Sequence, residues 1–106
     1  MKNKPLLQPE TEIVRVLKQI YDPEIPVNIY DLGLIYDINI NEKDTVEITM
    51  TLTAPNCPMA DQLIMEVKQS IGSIEGIKDV NINLVFDPPW NRSMMSDEAL
   101  LELGML

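Results

Sequence analysis

Between residues 34 and 52, apolar side chains take every second position along two successive runs. Leu34, Tyr36, Ile38 and Ile40 alternate with Ile35, Asp37, Asn39 and Asn41, and beyond a turn at 41–44, Val46, Ile48, Met50 and Leu52 alternate with Glu47, Thr49 and Thr51. Neighbouring side chains of an extended chain point to opposite faces, so this period predicts a β-hairpin with one apolar face. The period then changes. Leu63, Ile64, Val67 and Ile71 follow helical spacing and end near Gly72 to Gly76, which predicts an amphipathic helix. Alternation returns at Val80, Ile82, Leu84 and Phe86, with Asn81 and Asn83 between, and runs into Asp87-Pro88-Pro89-Trp90, where the double proline should end the strand.

A hairpin followed by a helix and one more strand leaves few topologies. The second and third strands should be parallel, joined by a right-handed crossover through the helix. Upstream, Pro9 suits a first helical position and Ile13, Val14, Leu17 and Ile20 share a helical face until Asp22-Pro23 stops the pattern. The resulting order α-β-β-α-β predicts a two-layer α+β sandwich, a small mixed sheet carrying both helices on its apolar face. The periodicities leave open which strand lies in the middle. Past residue 91 the chain predicts a short helix capped by Ser96, with Leu100, Leu101 and Leu103 on one face.

At 106 residues the chain is expected to form a single domain over 1–106, with a loose tail over residues 1–8. Eight Lys and Arg stand against seventeen Asp and Glu, a formal net charge of −9. Such a field repels phosphate backbones, so nucleic acid is excluded as an expected partner. No apolar run reaches the roughly 18 residues needed to cross a bilayer. With one cysteine and no signal-peptide pattern, a cytoplasmic setting is expected.

That cysteine, Cys57, stands between Pro55 and Pro58 in TAPNCPMA, at a strand-to-helix junction. Pro58 as first helical residue would make Cys57 the N-cap, where unpaired backbone N–H groups and the helix dipole favour a thiolate. A free cysteine is more often a small buried hydrophobe, and position alone does not decide between the two. The chain has no histidine. A cysteine hydrolase therefore lacks its base, a dithiol enzyme lacks its resolving thiol, and a zinc site lacks its other ligands. Any metal–sulfur site here must be completed by carboxylates, a second subunit, a partner protein or a small thiol.

Asp22, Glu24 and Asp31 in the loop at 22–33, and Thr51 and Thr53 at the end of the second strand, are the polar groups that can converge on Cys57. Each alone has a plainer role: Asp22 as a helix stop, Asp31 as a turn residue, the threonines as ordinary strand residues. Trp90 fits a packing or interface anchor, and Met94-Met95 either adaptable surface or gap filling.

Three ordered segments carry a resemblance. YDPEIPVNIYDLGLIY at 21–36, MTLTAPNCP at 50–58 and VFDPPW at 85–90 resemble the SufT-like iron–sulfur cluster assembly family, which includes PaaD-type proteins and the eukaryotic cytosolic iron–sulfur targeting subunit. The resemblance implies a non-enzymatic factor that assembles or transfers iron–sulfur clusters to mature apo-proteins, with Cys57 as a transient ligand of iron or a cluster. It implies Asp22, Glu24, Asp31, Thr51 and Thr53 as supporting site residues, and other assembly proteins and apo-protein clients as partners. Clusters take about four thiolates, so one cysteine per chain implies shared, labile ligation, and a homodimer would bring only two. The alternative is a metal-free adaptor docking through Trp90, Met94 and Met95, including a PaaD-like role in maturing a ring-oxygenase complex.

Overall fold

The computed structural model describes residues 9–22, 25–53 and 60–104. Along the chain these form α1 (Pro9–Leu17), β1 (Ile35–Ile40), β2 (Thr45–Met50), α2 (Ala60–Gly72), β3 (Asp79–Leu84), a single 3-10 turn (Arg92–Met94) and α3 (Asp97–Glu102). The sheet order is β1-β2-β3, with β2 antiparallel to β1 and parallel to β3. This bears out the mixed α+β sandwich and settles the strand order. The burial pattern agrees with it: Val46, Ile48 and Met50 of β2 are fully buried, whereas Ile38 and Ile40 of β1 and Ile82 and Leu84 of β3 are only partly covered.

α2 lies against β3 and buries Leu63, Val67 and Ile71, and α1 packs on α2 with Ile13 and Leu17 fully buried. Burying an aliphatic side chain of this size contributes roughly 1.5–3 kcal/mol, so these contacts hold the layers together.

Four details depart from the periodicities. β1 carries a bulge: Ile35 pairs with Met50 but Asp37 with Thr49 and Ile38 with Ile48, so one extra residue enters at Tyr36. Directly opposed residues share a face, and the bulge puts Ile35 on the core side with Met50, displacing Tyr36 from the apolar face that strict alternation assigns to it. Second, α1 stops at Leu17 although the apolar spacing runs on to Ile20. The backbone of 20–22 is instead taken into a short antiparallel pairing: Ile29 N–H donates to Ile20 O at 2.8 Å and Asp22 N–H to Val27 O at 3.2 Å. Third, β3 ends at Leu84, leaving Phe86 outside the sheet and 45% exposed. Fourth, Ser96 caps α3 as expected, its Oγ accepting from Ala99 N–H at 3.1 Å, but the inward residues are Ala99, Leu100 and Leu103, and Leu101 is 64% exposed. At 100° per residue Ala99 and Leu103 share a stripe that Leu101 cannot.

The segment between α1 and β1 is no surface loop. Val27, Ile29, Leu32 and Leu34 are fully buried and complete the core beside α1 and β2. Residues 1–8, expected as a tail, lie outside the described residues.

Candidate functional site

β2 leaves the sheet after Met50, between two backbone neighbours. Thr51 N–H donates to Leu34 O at 2.9 Å, and Val85 N–H donates to Met50 O at 2.9 Å. The chain continues through Leu52 and Thr53, and the segment after β3 runs over it. A cleft of about 90 Å³ lies between them, lined by Thr51, Leu52, Thr53, Phe86, Pro89 and Trp90. It sits past the carboxyl ends of the two parallel strands, where open sheets with parallel strands commonly take ligands. Thr51 is only 1% exposed, and its buried Oγ1 has no hydrogen-bond partner among the described residues.

The cleft's outer wall is strapped down by long-range contacts. Trp90 Nε1–H donates to Leu32 O at 2.6 Å, Tyr36 OH to Pro88 O at 2.7 Å, and Ser96 N–H to Asp31 O at 2.8 Å. Gly33 fits beneath the same segment at φ +86°, where a Cβ would fall 2.9 Å from the carbonyl carbon of Met94. On the inner side, Asn28 and Asp31 close a reciprocal pair: Asn28 Nδ2 donates to Asp31 Oδ2 at 2.8 Å, and Asp31 N–H donates to Asn28 Oδ1 at 2.8 Å. Asp31 therefore holds the shape of the turn that receives the strap.

Of the residues singled out from the sequence, Thr51, Thr53 and Trp90 come together at the cleft. Asp22, 6% exposed, accepts from Ile25 N–H at 2.8 Å and organises its own turn. Glu24 and Cys57, including the N-cap geometry expected for the thiol, lie outside the described residues. Among the described residues no three His, Cys, Asp or Glu side chains converge to hold a metal ion. Met95 is 8% exposed and packs in the core, so it adds no docking surface, and Met94 is half-buried against Gly33 and the Tyr36 hydroxyl.

Phe86, Pro89 and Leu52 join the cleft without having been singled out, because Phe86 and Leu52 fit strand alternation and Pro89 reads as a strand stop. Outside the cleft, in α1, the Glu12–Arg15 ion pair holds the Glu12 carboxyl below its ordinary pKa and raises Arg15, chiefly through their hydrogen bond.

Comparison with known proteins extends over most of the chain. Residues 10–84 match the family described as iron-sulfur cluster assembly protein. The chain is 56% identical to a Porphyromonas gingivalis protein named Fe-S protein maturation auxiliary factor, over 98% of this chain and 99% of that one. It is 40% identical to the Staphylococcus aureus Fe-S protein maturation auxiliary factor SufT, over 81% of this chain and 98% of the relative. A crystal structure of a domain of unknown function, DUF59, from Bacillus anthracis superposes with a TM-score of 0.86 at 35% identity, covering 92% of this chain and 93% of that chain.

Proposed function

This chain belongs to the iron–sulfur cluster assembly protein family, and from that premise we propose that it is an auxiliary factor in the maturation of iron–sulfur proteins. In this reading it is a carrier, not an enzyme. Cys57 binds iron or a cluster transiently and passes it to apo-protein clients, in the cytoplasm and together with other assembly proteins. The observation that carries the reading is the near full-length kinship with the Porphyromonas gingivalis auxiliary factor.

Ligand counting supports transfer over storage. A cluster held by one thiolate from this chain must borrow the rest, and borrowed ligands are readily exchanged. Thr51 and Thr53 supply hydroxyls four to six residues before Cys57, at a cleft with a fixed wall. Asp22 and Asp31 act in support by shaping the neighbouring loop, and Glu24 is a further supporting residue.

Anaerobic reconstitution with iron and sulfide tests this, with wild type and Cys57→Ser compared by visible absorption and iron content. A chromophore that depends on Cys57 is the expected result; equal iron in both proteins, or none in either, would overturn the thiol's role. The half-exposed Phe86 beside Trp90 favours one further reading, a metal-free adaptor that docks clients at this edge. In that case Phe86→Ala abolishes client pull-down and Cys57→Ser does not.

A further inference from the structure

We propose that β3 is the seat of a two-fold dimer: a second copy of this chain lays its own β3 antiparallel against it, edge to edge, and joins two three-stranded sheets into one. The sheet order β1-β2-β3 leaves each outer strand with one free side among the described residues. An edge strand presents N–H and C=O groups ready to pair with another chain, and bulges, prolines and charges are the usual means of blunting it. The two edges here differ in this respect. β1 carries the bulge at Tyr36 and the charge of Asp37, and the strap is hooked to it where Tyr36 OH donates to Pro88 O. β3 pairs with β2 in unbroken register from Asp79 to Leu84, and past Asp79 it holds no charge and no proline. The hollow of about 240 Å³ beside Asn81 and Asn83 is lined by residues of β2 and β3 alone, so no other described element closes it.

The faces of β3 select the occupant. Val80, Ile82 and Leu84 lie opposite Val46, Ile48 and Met50 on the core side, whereas Asn81 and Asn83 lie opposite Glu47 and Thr49 on the outer side. Ile82 and Leu84 are only partly buried, so the apolar layer runs out half covered at this edge. Directly opposed residues of an antiparallel pair share a face. A two-fold axis through Ile82, normal to the sheet, therefore sets Ile82 against its own counterpart, Val80 against the counterpart of Leu84, and Asn81 against that of Asn83. Apolar meets apolar, amide meets amide, and the two Asp79 carboxylates stand at opposite ends. Both helical layers fall on one side of the joined sheet, so the core continues across the junction. Parallel pairing about a two-fold axis would turn one sheet over and set Ile82 beside an asparagine.

Area and charge set the strength. Pairing about five residues a side covers less than the roughly 800 Å² per partner of a standard interface, and each copy carries a net charge of −9. The dimer is therefore weak, with a dissociation constant of about 100 µM, and salt tightens it by screening the repulsion. The clefts follow the carboxyl ends of the two β3 strands and so point to opposite ends of the dimer.

The test is sedimentation equilibrium of the full-length protein from about 10 µM to about 1 mM, at about 50 and about 500 mM salt. Monomer and dimer should exchange over this range, with association about fivefold tighter at the higher salt. Amide hydrogen exchange should slow with concentration at residues 80–84 and not at 35–40. Two double variants check the register. Asn81→Lys with Asn83→Lys, and Asn81→Glu with Asn83→Glu, each set like charges in opposition and should stay monomeric, the first although it brings the net charge from −9 to −7. Their equimolar mixture should dimerise at least as tightly as wild type, since every lysine then meets a glutamate. Where a variant unfolds, the wild-type salt and exchange profiles decide alone. Wild type that stays monomeric to the highest concentration would overturn the proposal, as would a dimer that ignores these charges or protects another element. Exchange at β3 that slows only on adding an unrelated β-strand peptide would also overturn it, by assigning the edge to a foreign strand.

Discussion

The indole N–H of Trp90 donates to the carbonyl oxygen of Leu32 at 2.6 Å, joining two residues 58 positions apart. Leu32 belongs to the buried segment before β1 and Trp90 to the strap after β3, so this one bond ties the front of the chain to its end beside the cleft. Trp90→Phe keeps most of the packing and removes the donor. It should lower stability by about 1–2 kcal/mol through the unpaired carbonyl, seen as a lower urea midpoint with an unchanged m-value. No change in midpoint would mean that solvent replaces the bond.

Gly33 separates two effects that usually travel together. Its φ of +86° is strained for a residue with a side chain, and a Cβ would also press on the Met94 backbone. Gly76, at φ +94°, has nothing within 4 Å of the same atom. Gly76→Ala should therefore cost about 1–2 kcal/mol, the ordinary left-handed penalty, and Gly33→Ala distinctly more. Gly33→Asn sharpens the comparison, since asparagine tolerates the dihedral but not the contact. If Gly33→Asn matched wild type in thermal unfolding, the close approach to Met94 would not be a constraint.

Position in the sheet should grade the cost of truncation. Ile48→Ala, in the fully buried central strand, is expected to lose about 2–5 kcal/mol. Its cross-strand partner Ile38, on an edge and partly covered, should lose clearly less on the same change. Equilibrium denaturation of the two variants side by side checks the ranking.

The cap of α3 gives a smaller effect. Ser96 Oγ accepts from Ala99 N–H while Ser96 N–H donates to Asp31 O, and only the first bond depends on the side chain. Ser96→Ala should lose about 1 kcal/mol. Because α3 follows the strap, hydrogen exchange should quicken at Ala99 first and leave the β2 amides protected.

Much of this architecture was legible in the sequence because period reports geometry directly. Alternation at 46–50 marks a strand with one buried face, and the spacing of Leu63, Val67 and Ile71 marks the helix that covers the sheet. The bulge at Tyr36 was not legible, since one inserted residue leaves the alternation of residue types intact while reversing the faces on one side of it. Val27, Ile29 and Leu32 escaped as core for a related reason: an irregular segment has no period, and its burial comes from tertiary contact alone. At the site, Thr51 and Thr53 could be singled out from their place at the end of the second predicted strand. The wall formed by Phe86 and Pro89 could not, because it depends on how the strap folds back through Trp90 and Tyr36.

The pairing of β2 with β3 also sets an order of assembly. A hairpin closes as soon as its second strand exists, but the parallel neighbour of β2 is made only after the whole of α2. Synthesis runs from the N-terminus, so the sheet waits for Leu84, and the strap with Pro89, Trp90 and Ser96 comes after that. The cleft thus closes only after the sheet has its third strand. A chain cut just after β3 would lose the wall opposite Thr51 and, with Met95 and Ala99, part of the core. The segment after β3 thus does two jobs at once, closing the cleft through Phe86, Pro89 and Trp90 and filling part of the core through Met95 and Ala99.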